Sequence, residues 1–194
     1  MKKTISKNKG FSLVEMIIVL AIVAVMSTMA LISINVIRSA KAKDAATVFD
    51  SEVATLKTKA KGMGVDANKD GSLSDEELKL FYCIKIYKEG DTYYLCTGYT
   101  KAESVSTNFV STATNNGGKG RNLSTYVKIK YTGKLSDGTA VTDQEPGDGD
   151  DAFYIVFNKR GECVYGVGEY EFFKPSGRTV ARKYIRANGS HGSK

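Results

Sequence analysis

The sequence has few of the residues that most often carry catalysis. It contains one histidine, His191, together with two prolines and three cysteines. We expect residues 188–194 to form a flexible tail. A histidine in such a tail cannot complete a Ser-His-Asp or Cys-His arrangement on a folded scaffold. The composition therefore predicts that the protein is not an enzyme.

Helix-breaking residues are missing from a long N-terminal stretch. Neither proline nor glycine occurs between residues 11 and 61, and residues 16–37 carry no charge. At about 1.5 Å per residue, this uncharged segment spans a hydrocarbon core of about 30 Å. We predict a transmembrane helix over residues 11–37 and an amphipathic continuation over residues 38–64. Its apolar stripe recurs every three or four positions, at Ala45, Phe49, Val53, Leu56, Ala60 and Met63.

Positive charge is concentrated at the N-terminus. Of the formal net charge of +7, four lysines lie within the first ten residues, so the remainder carries +3. A basic C-terminal cluster also occurs, and a solvated strand face explains it better than a nucleic-acid site does. The cluster comprises Arg178, Arg182, Lys183 and Arg186. Nucleic acid is therefore not an expected partner.

A carboxylate lies at the start of the apolar segment. Glu15 follows the stretch Lys9-Gly10-Phe11 and precedes the uncharged run. An ionisable side chain in lipid costs about 2.5–3.5 kcal/mol and normally has a partner. A secretory signal has its cleavage point after the apolar region, whereas Gly10 precedes it here. Neither an export signal nor a plain membrane anchor explains this arrangement.

Residues 9–15 resemble the class III signal of type IV prepilins, in which a basic leader is followed by glycine, phenylalanine and a glutamate. The resemblance implies a leader over residues 1–10, cleavage after Gly10 by a prepilin peptidase, and methylation of the Phe11 amine. Glu15 would then face the N-terminal amine of a neighbouring subunit. It also implies storage as a single-pass membrane protein, and pilus machinery that assembles a surface filament for adhesion or motility.

Several roles within and outside that class stay open. Many type IV pilins carry prolines at two helix positions that correspond to Ile32 and Glu52 here. A major subunit, a minor or competence pilin and a secretion pseudopilin are therefore all compatible with the sequence. A monomeric, membrane-tethered calcium-binding module is the alternative from another class. A Gram-positive source is one hypothesis for the origin.

The segment after the helix predicts short antiparallel strands. Alternating residues at 80–87 and 92–96 flank a turn, and glycine-rich stretches at 111–124 and 136–151 predict loops. Further strands are predicted at 126–131, 153–157, 162–165, 170–173 and 179–182. A sheet that covers the helical stripe buries both apolar faces. The predicted fold is α+β, a long N-terminal helix packed against an antiparallel β-sheet, with a globular head over residues 65–187.

Residues 66–77 match the twelve-residue calcium loop of EF-hands. Gly71 occupies the sharp turn of that motif, and an acidic turn that only ends a helix would not require a glutamate at the twelfth position. The oxygen ligands would come from Asp66, Asn68, Asp70, Ser72, Ser74 and Glu77. The motif predicts a calcium site that orders the connection from helix to sheet. A lone loop should bind at about 10⁻⁴ to 10⁻³ M.

The three cysteines support a disulfide, a zinc site or, in an anaerobic producer, reduced thiols without a ligand. If Glu89-Gly90 forms a two-residue turn, Cys83 lies directly opposite Cys96, where a cross-strand disulfide suits an exported protein. The alternative is a zinc site that adds Cys163 and takes a fourth ligand from a carboxylate, water or His191.

Overall fold

A computed structural model describes residues 11–101, 105–135, 137–147 and 151–194, without the side chains of residues 30–32. The chain divides into two units, Met1–Ile37 and Arg38–Lys194. The predicted leader over residues 1–10, including Gly10, lies outside the described residues.

Helix α1 spans Leu13–Gly62. It begins and ends within two residues of the predicted helical segment, 11–64. Glu15 lies in its first turn, and Lys59 and Lys61 lie in its last turn. These charges favour the helix because they oppose the partial charges at its two ends.

In the unit that ends at Ile37, the described apolar side chains are exposed. Leu20 and Met26, for example, are 64% and 65% exposed. An 18-residue window of α1 has a mean hydropathy of 2.8, and none of it is buried. By length and composition, α1 is therefore suited to cross a membrane.

Within the described residues, two antiparallel sheets follow the helix. Their strands are β1 (Leu80–Glu89), β2 (Thr92–Lys101), β3 (Val110–Ser111), β4 (Arg121–Asn122), β5 (Lys128–Lys134), β6 (Ala140–Gln144), β7 (Phe153–Phe157), β8 (Cys163–Tyr165), β9 (Gly168–Phe173), β10 (Thr179–Ile185) and β11 (His191–Ser193). The first sheet has the order β3-β2-β1-β7-β8, and β4 also pairs with β2. The second sheet has the order β11-β10-β9-β5-β6. The α+β prediction is confirmed, although two sheets cover the helix instead of one.

The stripe of α1 lies in a core that both sheets share. Phe49 is 1% exposed, and its ring centroid lies 4.9 Å from that of Tyr170 and 5.5 Å from that of Phe172. The first five predicted stripe residues are buried in this core, whereas Met63 is 64% exposed. The prediction for Met63 was wrong because α1 ends at Gly62, and residues beyond a helix end no longer follow its period.

The predicted loop 136–151 and the predicted tail 188–194 both contain strands. Strand β6 pairs with β5, and β11 pairs with β10. The buried Lys183 of β10 donates to Ser193 Oγ at 2.7 Å and to Asp50 Oδ2 of α1 at 3.0 Å. The tail prediction was wrong because these long-range bonds order a segment whose composition alone is typical of disorder.

Candidate functional site

A reciprocal pair of hydrogen bonds closes the start of α1. The backbone N–H of Ser12 donates to Glu15 Oε2 at 2.8 Å, and the backbone N–H of Glu15 donates to Ser12 Oγ at 3.2 Å. This arrangement is a capping box, which satisfies two N–H groups that a helix start leaves without partners. Glu15 therefore has a role within its own chain. Sequence analysis missed Ser12, although the pattern Ser-x-x-Glu at residues 12–15 is the signature of such a cap.

The predicted N-terminal residue of the mature chain lies just before this cap. Phe11 precedes α1 and is 81% exposed. Its predicted scissile partner, Gly10, lies outside the described residues. Cleavage between Gly10 and Phe11 would leave a free amine on Phe11. This amine would lie one residue before the capped helix start and close to Glu15 in the sequence.

The loop at residues 66–77 folds around the carboxylate of Glu77. Glu77 is buried at the start of a 3₁₀ turn, Glu77–Lys79. Its Oε1 accepts hydrogen bonds from the backbone N–H groups of Ala67 at 2.8 Å and Asn68 at 3.1 Å. Its Oε2 accepts from the backbone N–H of Ser74 at 2.9 Å and from the Ser74 hydroxyl at 2.8 Å. The twelfth residue of the motif thus joins both ends of the loop.

These bonds keep Glu77 ionised. Hydrogen bonds from the backbone and hydroxyl of Ser74, and then from the backbone of Asn68, lower the pKa of Glu77 from 4.5 to about 2. Because the pKa in the folded chain is depressed, the associated stability is present above about pH 4.5. It is lost as the pH falls through the window towards 2. At neutral pH the loop therefore presents a fully charged carboxylate.

Hydrogen bonds within the loop satisfy the side chains of its acidic half, except for one carboxylate oxygen. Asp66 Oδ2 accepts from the backbone N–H of Gly71 at 3.0 Å, and Gly71 has φ +82°, as the sharp turn requires. Asp70 Oδ1 accepts from the backbone and hydroxyl of Ser72, both at 2.8 Å, and these bonds lower the pKa of Asp70. Asp66 Oδ1 is buried and has no hydrogen-bond partner among the described residues. A buried oxygen in that state is destabilising unless something else satisfies it.

Gly64, just beyond α1, receives contacts from both the loop and β1. Leu73 is 43% exposed, and its side chain lies against Gly64, where it leaves no space for a Cβ. The hydroxyl of Tyr82 in β1 donates to the carbonyl of Gly64 at 3.1 Å. The end of α1 and the start of β1 are therefore tied together on either side of the loop.

The cysteines do not lie opposite each other. Glu89 pairs with Thr92, so the turn is Gly90-Asp91 rather than Glu89-Gly90. Gly90 has φ +60°, which suits glycine at the first central position of a two-residue turn. Cys83 consequently pairs with Gly98, and Cys96 pairs with Lys85. The predicted register was wrong by two residues.

The two candidate disulfide partners are free thiols. Cys83 and Cys96 lie on the same face of the first sheet in diagonal positions, which are typically about 7–8 Å apart, beyond the about 4.4–6.8 Å between Cα atoms of a disulfide. Cys163 belongs to the core around α1, whereas Cys83 lies in the cluster on the opposite face of the sheet. The three cysteines therefore do not assemble the predicted zinc site. Among the described residues, no three His, Cys, Asp or Glu side chains converge as they would around a bound metal ion, and the carboxylates of residues 66–77 accept hydrogen bonds from loop N–H groups instead.

Comparison with protein families places the prokaryotic N-terminal methylation motif at residues 5–31. This motif is the class III signal of type IV pilins and pseudopilins, so that prediction is confirmed. Comparisons with curated proteins and with solved structures gave no match. The match covers the predicted cleavage point, Glu15 and most of the apolar segment, and it carries no information about the head.

Proposed function

We propose, on the premise of the class III signal at residues 5–31, that the chain is a structural subunit of a type IV pilus. In this proposal a prepilin peptidase cleaves it after Gly10. Pilus machinery then moves it from the membrane into a surface filament for adhesion or motility. The methylation motif carries the proposal, because the signal marks a pilin-like or pseudopilin protein.

The geometry of α1 supports assembly through the helix. The described apolar side chains of residues 11–37 are exposed, whereas the stripe from Ala42 onward is already covered by the head. In water, the exposed segment would be strongly unfavourable, since burying one large apolar side chain is worth about 1.5–3 kcal/mol. Two environments would remove this surface from water. Before assembly the segment would lie in lipid, and after assembly it would pack against neighbouring helices.

Cleavage at Gly10 is the first expected outcome to check. Mass spectrometry of the protein recovered from its native cell surface should show a chain that begins at Phe11 with a methylated amine. Because a large side chain at the cleavage position should block the peptidase, a Gly10→Val variant should keep residues 1–10. Native protein that retains its first ten residues would refute the pilin proposal and would favour a tethered module.

We further propose that residues 66–77 bind calcium, with Asp66, Asn68, Asp70, Ser72, Ser74 and Glu77 as the ligand set. The buried, unpartnered Asp66 Oδ1 favours this, because a cation would satisfy it. The donor set consists of hard oxygen atoms, which calcium prefers. Glu77 would have to exchange some of its bonds to Ala67, Asn68 and Ser74 for the cation. That exchange is consistent with weak binding.

Calcium is expected to stabilise the full-length protein. At about 10 mM calcium, a Kd of about 10⁻⁴ to 10⁻³ M adds roughly 1.4–2.7 kcal/mol, or a Tm increase of about 3–10 °C. Glu77→Gln should abolish both the calorimetric heat and the Tm shift. Glu76→Gln is the matched control, because Glu76 is exposed and pairs with Lys79 and Lys101 outside the ligand set. An unchanged Tm in the unaltered chain would refute the site and leave the pilin proposal intact.

A further inference from the structure

A polar groove lies beside the residue that follows the uncharged segment. Arg38 is the first charged residue after residues 16–37. Its guanidinium lies 5.9 Å from the ring centroid of Tyr126, and its Nε is buried without a hydrogen-bond partner among the described residues. The Arg38 guanidinium therefore contacts the head at the Tyr126 ring, while one of its N–H donors has no hydrogen-bond partner among the described residues.

The groove itself has a volume of about 350 Å³. Helix α1 and the turn at residues 122–126 form its two sides. Its lining residues are Lys41, Asp44, Ala45, Val48, Asn122, Leu123, Ser124 and Thr125. Asp44 offsets one cation, so the groove with Arg38 beside it keeps a net positive charge. Ser124 and Thr125 line the same space, and their hydroxyl groups can donate to phosphate oxygens.

The turn at residues 122–126 is ordered by its own hydrogen bonds. The backbone N–H of Ser124 donates to Asn122 Oδ1 at 2.7 Å, and that of Tyr126 donates to Ser124 Oγ at 3.2 Å. Ser124 has φ +90°, which is uncommon for a residue with a side chain. Tyr126 is 45% exposed. The turn thus presents an aromatic ring and hydroxyl groups next to two cations.

We propose that this groove binds the phosphate headgroup of a membrane phospholipid. The inference rests on the proposed storage in the membrane and goes beyond it, because it assigns a lipid-binding site to the residues that line this groove. Arg38 and Lys41 directly follow the apolar segment. Residues just beyond a membrane-spanning segment lie at the depth of the headgroup phosphates. A guanidinium binds phosphate in bidentate fashion, and tyrosine is enriched at membrane interfaces. The occupant is therefore a phospholipid of the leaflet that the head faces.

A single introduced tryptophan can report this contact, because the chain contains none. The full-length Tyr126→Trp protein would be reconstituted into vesicles of zwitterionic or anionic phospholipid that carries bromine close to the headgroup. We expect strong quenching of the tryptophan fluorescence, greater with anionic lipid. In this background, Arg38→Gln and Lys41→Gln should each lower the ratio of docked to undocked heads about fivefold.

The controls distinguish the proposed phospholipid site from the proposed storage in the membrane. Tyr184 carries Arg186 over its ring at 4.7 Å on the second sheet, so Tyr184→Trp reproduces an Arg–aromatic pair away from the groove. It should show little quenching, and adding Arg178→Gln to the Tyr126→Trp protein should leave its quenching unchanged. Failure of the chain to co-float with vesicles would refute membrane storage. If the Tyr126→Trp protein co-floats but its fluorescence is unquenched, or is quenched regardless of Arg38→Gln and Lys41→Gln, only the phospholipid site would be overturned.

Discussion

Replacing Glu15 by glutamine is expected to abolish filament assembly while leaving α1 folded. Glutamine at this position can still accept the hydrogen bond from the Ser12 backbone N–H, because either residue completes a capping box. The substitution therefore removes the negative charge and keeps the local helix start. Under the proposed function, that charge pairs with the N-terminal amine of a neighbouring subunit in an environment without water. Its loss leaves the amine without a partner.

The measurement is the fraction of subunits recovered in filaments sheared from cells, with the membrane fraction as the reference. We expect normal amounts of processed Glu15→Gln protein in the membrane and at least a tenfold loss of filaments, since one unpaired buried charge costs about 3–5 kcal/mol. Glu15→Ala should behave in the same way.

Ser12→Ala is the matched control for this experiment. It removes the hydroxyl that accepts from the Glu15 backbone N–H and keeps the carboxylate. The expected destabilisation of the helix start is about 1 kcal/mol, which should reduce filaments far less than Glu15→Gln. If Ser12→Ala reduced assembly as much as Glu15→Gln, an intact helix start would be as important for assembly as the charge of Glu15, because Glu15→Gln keeps the capping box. Undiminished recovery of Glu15→Gln subunits in filaments would refute the proposed charge pairing of Glu15, whereas absence of the unaltered chain from sheared filaments would refute the pilin proposal.

Replacing Phe49 by alanine is expected to lower the free energy of unfolding of the head by about 3–5 kcal/mol. Phe49 is 1% exposed and contacts the rings of Tyr170 and Phe172 in the second sheet. Truncation removes these contacts and leaves a cavity between helix and sheet. Because domains of this kind are stable by about 5–15 kcal/mol, the loss is a large fraction of the total.

Thermal and urea unfolding of the full-length protein in detergent would measure this effect. The loss of the tyrosine signal in near-ultraviolet circular dichroism is a suitable probe, since Tyr131 and Tyr170 are packed in the same core. Thr47→Ala on the exposed side of the same helix is the control, and its effect should stay within about 0.5 kcal/mol. A Phe49→Ala protein that unfolds like the unaltered chain would show that the helix does not depend on the head for its packing.

The loop at residues 66–77 shows how far a local motif can be predicted. The turn at Gly71 was predictable from the sequence, because the motif is contiguous and glycine is required where φ is positive, whereas calcium binding by this loop stays a proposal. The sequence did not predict the hydrogen bonds that the backbone N–H groups of Ala67 and Asn68 donate to Glu77. Whether these N–H groups or a cation bind the carboxylate depends on the conformation of the folded loop. The sequence therefore predicted the turn of this loop but not its hydrogen bonds.

The cysteines show where sequence patterns stop. Alternation correctly indicated β1 and β2, yet the register depended on whether the turn began at Glu89 or Gly90, and both choices preserve the alternation. A shift of two residues keeps every side chain on its face and still separates Cys83 from Cys96. The position of Cys163 on the opposite face depended on a bulge between β7 and β8, which the pattern does not reveal.

By itself the sequence determined the class III signal, the apolar length of α1, its buried stripe and the α+β class. These properties depend on residue order over short distances, through hydrophobicity and period. Only the tertiary structure decided the division into two sheets, the cysteine register, the ordering of residues 188–194 by Lys183 and the meeting of Arg38 with Tyr126. The two sheets and the contact of Arg38 with Tyr126 join segments that are far apart in sequence, whereas the cysteine register depends on a turn position that alternation alone does not fix.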